Sequence, residues 1–147
     1  MSHARLSVVL LGIATGASAL ETPFDSRLVI DNTGDNPRTA IVADVDGDGD
    51  LDLYVSTEFG GLNLLYVNPG NGPFVEQGTA RGLAIAGRSL GQSWGDVDGN
   101  GAVDLFLCHI VGNSGLFMND GTGSFVDDTD SRGLDTEASG WQAIMFD

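Results

Sequence analysis

Two nine-residue segments, 52 positions apart, constrain this chain more than any other feature. The first, residues 44–52, reads Asp44-Val45-Asp46-Gly47-Asp48-Gly49-Asp50-Leu51-Asp52, with five aspartates in nine residues. The second, residues 96–104, reads Asp96-Val97-Asp98-Gly99-Asn100-Gly101-Ala102-Val103-Asp104 and keeps the pattern D-x-[DN]-G-[DN]-G-x-x-D. Carboxylates this dense repel one another unless a cation sits among them, and hard oxygen donors point to calcium. Alternate side chains, Asp44, Asp46 and Asp48 in one copy and Asp96, Asp98 and Asn100 in the other, can turn to one side while the glycines let the backbone curl. The seventh position is expected to give a backbone carbonyl, because Ala102 has nothing else to offer, and the Asp50 side chain is then spare. Asp52 and Asp104 close the two sets. The expected cofactor is therefore calcium, at about two sites.

An EF-hand is the obvious competitor. It needs a bidentate acid at position 12, where this chain has Val55 and Leu107, and it needs flanking helices. The flanks here are β-branched and aromatic.

The repeat extends beyond the loops. Leu65-Tyr66-Val67-Asn68-Pro69-Gly70-Asn71-Gly72-Pro73-Phe74-Val75 corresponds to Leu116-Phe117-Met118-Asn119-Asp120-Gly121-Thr122-Gly123-Ser124-Phe125-Val126, 51 residues on, and Arg81-Gly82-Leu83 to Arg132-Gly133-Leu134. A period in this range marks a solenoid, a propeller or an array. Each unit reads as four short strands: one entering the loop (39–43; 92–95), one leaving it (51–56; 103–110), a third (62–67; 115–118) and, after an Asn- and Gly-rich turn, a fourth (74–77; 125–127). No sustained helical period is present. Four antiparallel strands per unit of about fifty residues is the pattern of a propeller blade, so the fold class is all-β.

The loops, the LDLYV and VDLFL strands that follow them, the L-[YF]-x-N-x-G-x-G-x-F turn and the trailing RGL together resemble FG-GAP/VCBS repeats. These occur in integrin-α-like β-propellers and in secreted proteins of the ASPIC/UnbV and cartilage-acidic-protein type. The resemblance covers residues 38–147, with repeats at 38–90 and 91–139 and the start of a third at 140–147. It implies a seven-bladed ring, of which two blades and one strand stand here, so the chain is expected to be a piece of a longer protein. A clear FG…GAP pair is lacking, and Phe59-Gly60 does not supply it.

Residues 1–19 read as a secretory signal peptide: Arg5 precedes a short apolar run, and Ala17-Ser18-Ala19 forms an A-x-A cleavage site. The run is too brief to span a bilayer. A secreted or periplasmic chain follows, in a compartment that also supplies calcium. Segment 20–37 has Phe24 at a spacing from Asp44 close to that of Phe74 from Asp96, which fits an outer strand closing a blade. Against 21 acidic residues the chain has 6 basic ones and no lysine, for a net charge of −15. That balance argues against nucleic acid and anionic membranes as partners.

The expected role is an extracellular binding module for a protein or glycan, with structural calcium loops and no catalysis of its own. The alternative is part of a carbohydrate lyase or hydrolase whose catalytic groups lie elsewhere. Lone Cys108 and His109 read as strand residues. Trp94 and Trp141, in matching loop-entering strands, are expected to pack between blades rather than to stack on sugars.

Overall fold

The computed structural model describes residues 37–58, 60–110, 114–134 and 140–146. The expected signal peptide, the closing strand near Phe24, Phe59 and Asp147 lie outside these residues. The order of elements is β1 (Pro37–Ala43), β2 (Asp52–Thr57), β3 (Leu64–Val67), β4 (Val75–Glu76), α1 (Gly78–Arg81), β5 (Ser89–Gly95), β6 (Asp104–His109), β7 (Gly115–Asn119) and β8 (Phe125–Asp127). They form two antiparallel four-stranded meanders, β1-β2-β3-β4 and β5-β6-β7-β8, each with the architecture of a propeller blade.

Sequence pattern accounts for the layers. In β1, half-buried Thr39, Ile41 and Ala43 alternate with exposed Arg38, Ala40 and Val42, as in a strand wet on one face. β2 is buried along its whole length, and its apolar run Leu53-Tyr54-Val55 serves both faces of the first sheet. Leu53 and Val55 pack with Leu64, Tyr66 and Phe74 on one face. Tyr54, on the other, joins Val45, Leu65, Val67 and Leu83 of the first repeat to Leu105, Leu107, Phe117 and Phe125 of the second. The main core is thus the joint between the blades, as expected where repeats cannot bury an apolar face alone.

Trp94 sits in that joint. Its ring meets Tyr54 edge-on at 5.9 Å and 69° and lies tilted against Phe125 at 5.9 Å. Trp141 does not share this setting; it is 72 % exposed. Counted at the 51-residue offset, Met145 rather than Trp141 takes the place of Trp94, so the two tryptophans are not equivalent. The expected loop-entering strand at 140–147 forms no ladder within 140–146. That segment runs beside the second blade, with the Gly140 N–H on the His109 carbonyl and the Met145 N–H on Ser93 Oγ, both at 2.9 Å. Gly91 of β5 permits the approach, since a side chain there would collide with the Gln142 backbone.

One element left no trace in the periodicity. α1 is a single turn ended by Gly82 at φ 81°, too short to show a helical repeat, and it delivers Leu83 to the core. Cys108 is buried in β6, where burial pushes its thiol pKa up. No helix among the described residues is long and apolar enough to cross a membrane.

Candidate metal centre

Each acidic loop joins the first two strands of its blade, β1 to β2 and β5 to β6. The loops adopt one conformation twice. Gly47 and Gly49 have φ of 75° and 92°, Gly99 and Gly101 of 77° and 88°, values that L side chains rarely take. The first aspartate caps each loop from inside. Asp44 Oδ1 accepts the N–H groups of Gly47 (2.8 Å) and Asp48 (3.1 Å), and its Oδ2 that of Gly49 (2.9 Å). Asp96 repeats this with Gly99 (2.8 Å), Asn100 (3.1 Å) and Gly101 (2.9 Å). An aspartate that bonds backbone a few residues ahead is the ordinary device for a tight turn.

The last aspartate ties the loop to the rest of its blade. Asp52 and Asp104 are both buried. Asp52 accepts the N–H of Val45 on one oxygen (2.9 Å) and of Asn68 on the other (2.8 Å); Asp104 does the same with Val97 and Asn119, both at 2.8 Å. Burial pushes the Asp52 carboxyl pKa up, the two backbone donors pull it back, and the charges of Asp46 and Asp48 raise it further.

Between these anchors, carboxylates converge. Oxygens of Asp44, Asp46 and Asp48 lie within 4.8 Å of one another, as do those of Asp96, Asp98 and Asp104. Asp52 stands outside the first group. Asp50 is also outside it; its N–H bonds Asp48 Oδ1 at 2.9 Å and its side chain leans toward the turn at Gly70. Asn100 accepts the Ala102 N–H (2.7 Å) and donates to the Asn119 carbonyl (3.0 Å), while Asp98 accepts the Asn100 N–H at 3.0 Å. The donors are hard oxygens throughout, and Asp46 Oδ1 is buried without a hydrogen-bond partner. A buried acceptor left over beside two further carboxylates fits a hard divalent cation.

One asparagine of the repeated turn in each blade helps to hold the loops in place, and the sequence pattern marked the pair only as repeated. Asn119, 2 % exposed, donates to the carbonyls of Val45 (2.8 Å) and Val103 (3.1 Å) and accepts the N–H groups of Gly121 (3.0 Å) and Gly123 (3.1 Å). Its counterpart Asn68 donates to Leu51 (3.3 Å) and accepts from Gly70 (3.1 Å). Arg81 was likewise visible only as part of the RGL repeat; it reaches Asp46 Oδ2 at 2.9 Å.

A second charged cluster occupies the other end of the blades. Glu58, 2 % exposed, is held by Arg38 at the start of β1 and by Arg88 just before β5 (2.5 Å). The Arg88 hydrogen bond, with Arg38 adding to it, keeps the Glu58 carboxyl below the usual range. Beside it, the buried Asn63 amide donates to Tyr54 Oη and Ser89 Oγ, both at 3.0 Å, and accepts the Thr57 N–H.

Residues 44–107, from the first aspartate of loop one into β6, match the family model of the FG-GAP-like repeat. No curated protein matches the chain.

Proposed function

From the premise that this is an FG-GAP repeat protein with a β-propeller-like module, we propose that it acts as a secreted, calcium-stabilised binding module. The observation that carries the metal reading is the trio Asp44, Asp46 and Asp48, whose oxygens converge within 4.8 Å of one another, together with the buried, unpartnered Asp46 Oδ1. Asp44, Asp46 and Asp48 would hold the ion in the first loop, and Asp96, Asp98 and Asp104 in the second, with Asn100 and the carbonyls of residues 50 and 102 completing the oxygen set. When bound, calcium would supply charge compensation to the crowded acidic oxygens of each loop. The chain's own residues shape the site: Asp44 and Asp96 fix the curl, and Asp52 with Asn68, or Asp104 with Asn119, tie it to the sheet.

Binding rather than catalysis is favoured because the close carboxylates are already engaged. Asp44, Asp52, Asp96 and Asp104 take backbone N–H groups, Glu58 is held by two arginines, and Asp128 pairs with Arg132. The role assigned to calcium is structural, and the partner is an extracellular protein or glycan, reached by surfaces other than the loops. The apolar stretch with an A-x-A site at residues 1–19 supports export. Extracellular modules bind calcium with a Kd of roughly 0.1–1 mM. Calorimetric titration of calcium into the metal-stripped chain should find two such sites, and Asp46→Asn with Asp98→Asn should abolish both. Heat uptake that is unaltered by the paired substitution would place the metal elsewhere.

A further inference from the structure

Arg81 is tied down at every nitrogen. Nη2 bonds Asp46 Oδ2, Nη1 the Thr122 carbonyl and Nε Gln77 Oε1, each at 2.9 Å. Asp46 belongs to the first loop, Thr122 to the turn between β7 and β8, and Gln77 to the approach to α1, so one guanidinium joins the metal loop of one blade to the outer turn of the next. Arg81 and Asp46 are each only 17 % exposed at the side chain. The turn is shaped to admit it: a Cβ on Gly123, which has φ of 77°, would collide with both Arg81 and Asp46.

The repeat supplies its own contrast. Arg132 corresponds to Arg81, but its Nε pairs with Asp128 four residues earlier, on an exposed surface. Among the described residues no arginine pairs with Asp98, the counterpart of Asp46.

We propose that Arg81 is a built-in counter-cation of the first loop: it compensates Asp46 when no metal is bound, locks that loop to the second blade, and opposes calcium entry there. The lock follows from the three hydrogen bonds alone. The opposition rests on the calcium reading of the loops. A guanidinium and a divalent ion that share one carboxylate are like charges a few ångströms apart, and their repulsion in a partly buried site weakens binding by about tenfold. Loop one therefore keeps its shape and its hold on the neighbouring blade without metal, whereas loop two has no such internal cation among the described residues.

The test compares the full chain with Arg81→Met, Arg81→Lys and Arg132→Met, by thermal unfolding in EDTA and by calorimetric titration with calcium chloride. Arg81→Met should melt about 5 °C lower in EDTA. The calcium site that Asp46→Asn removes should become about tenfold tighter in Arg81→Met. Arg81→Lys, which keeps the charge but not the three-way fork, should melt between parent and Arg81→Met and leave calcium affinity near the parent's. Arg132→Met should move neither quantity. Removal of a merely structural residue would lower metal-free stability and calcium affinity together, so a gain in affinity is diagnostic. Unchanged melting of Arg81→Met in EDTA overturns the lock, and weaker calcium binding overturns the opposition. If neither parent nor variants take up calcium, the metal reading of the loops fails and takes the opposition with it. Melting in EDTA then decides the lock by itself, a lower value supporting it and an equal one overturning it.

Discussion

The two blades carry nearly the same loop, the same asparagine and the same arginine, yet they use them differently. In the first blade, Asn68 bonds within its own sheet among the described residues, and Arg81, 13 residues on, crosses to the second blade. In the second, Asn119 reaches back to the Val45 carbonyl of the first, while Arg132 stays at home on Asp128. The hydrogen bonds that Asp44 and Asp96 accept are copied to the tenth of an ångström, although Asp98 Oδ1 also takes the Asn100 N–H where Asp46 Oδ1 takes none. What differs most is the set of bonds that leave the blade, because those depend on which neighbour a turn faces. A repeat in sequence thus fixes local geometry twice, whereas contacts between repeats are made once per joint.

That contrast can be broken most forcefully at the tryptophans. Trp94→Ala removes a ring wedged between Tyr54 and Phe125 and should destabilise the chain by about 3 kcal/mol or more. Trp141→Ala, at an exposed position, should stay within about 0.5 kcal/mol. Urea unfolding of both measures the difference, and equal losses would mean that the joint is not where the stability lies.

The asparagines sharpen it next. Asn119→Ala leaves the carbonyls of Val45 and Val103 and the N–H groups of two turn glycines without their side-chain partner, for an expected loss of about 2–3 kcal/mol. Asn68→Ala forfeits longer and more exposed bonds within one blade and should lose about 1 kcal/mol. A reversed order in urea midpoints would show that the bond across the joint contributes little.

Glu58 offers the smallest effect and a pH signature. Its carboxyl is held below the ordinary value of 4.5, chiefly by Arg88. A depressed carboxylate contributes stability that is fully present above the unfolded-state pKa and is lost as pH falls through the folded one. The difference in stability between the parent and Glu58→Gln should therefore be constant near neutral pH and shrink as pH drops below about 4.5. A difference that grows on acidification would reverse the assigned sign.

Much of the candidate site's geometry was legible from the pattern of residues. The spacing of Asp44, Asp46 and Asp48 and of Asp96 and Asp98, with glycines between, requires one curled loop twice, because alternate side chains fall on one side and only glycine takes φ near 80–90° cheaply. The strands on either side were legible too, most of them within a few residues of their observed ends, since apolar runs bounded by Asn and Gly leave little choice of element. Other features gave no signal. A four-residue helical turn has no period to read. Trp141 resembles Trp94 by eye, but at the repeat offset it matches half-buried Leu90, so it does not inherit the place of Trp94 between the blades.

The sequence by itself determined the local order of this protein: two loops, two four-stranded meanders and the acidic oxygens gathered in each, all set by contacts within a single repeat. Tertiary structure alone decided who meets whom across the joint. Arg81 on Asp46, Asn119 on Val45, Trp94 between Tyr54 and Phe125, and Glu58 between Arg38 and Arg88 span roughly 20 to 74 residues of chain. Such pairs carry no spacing rule, because they depend on how two finished sheets pack, and packing answers to shape and charge summed over whole faces.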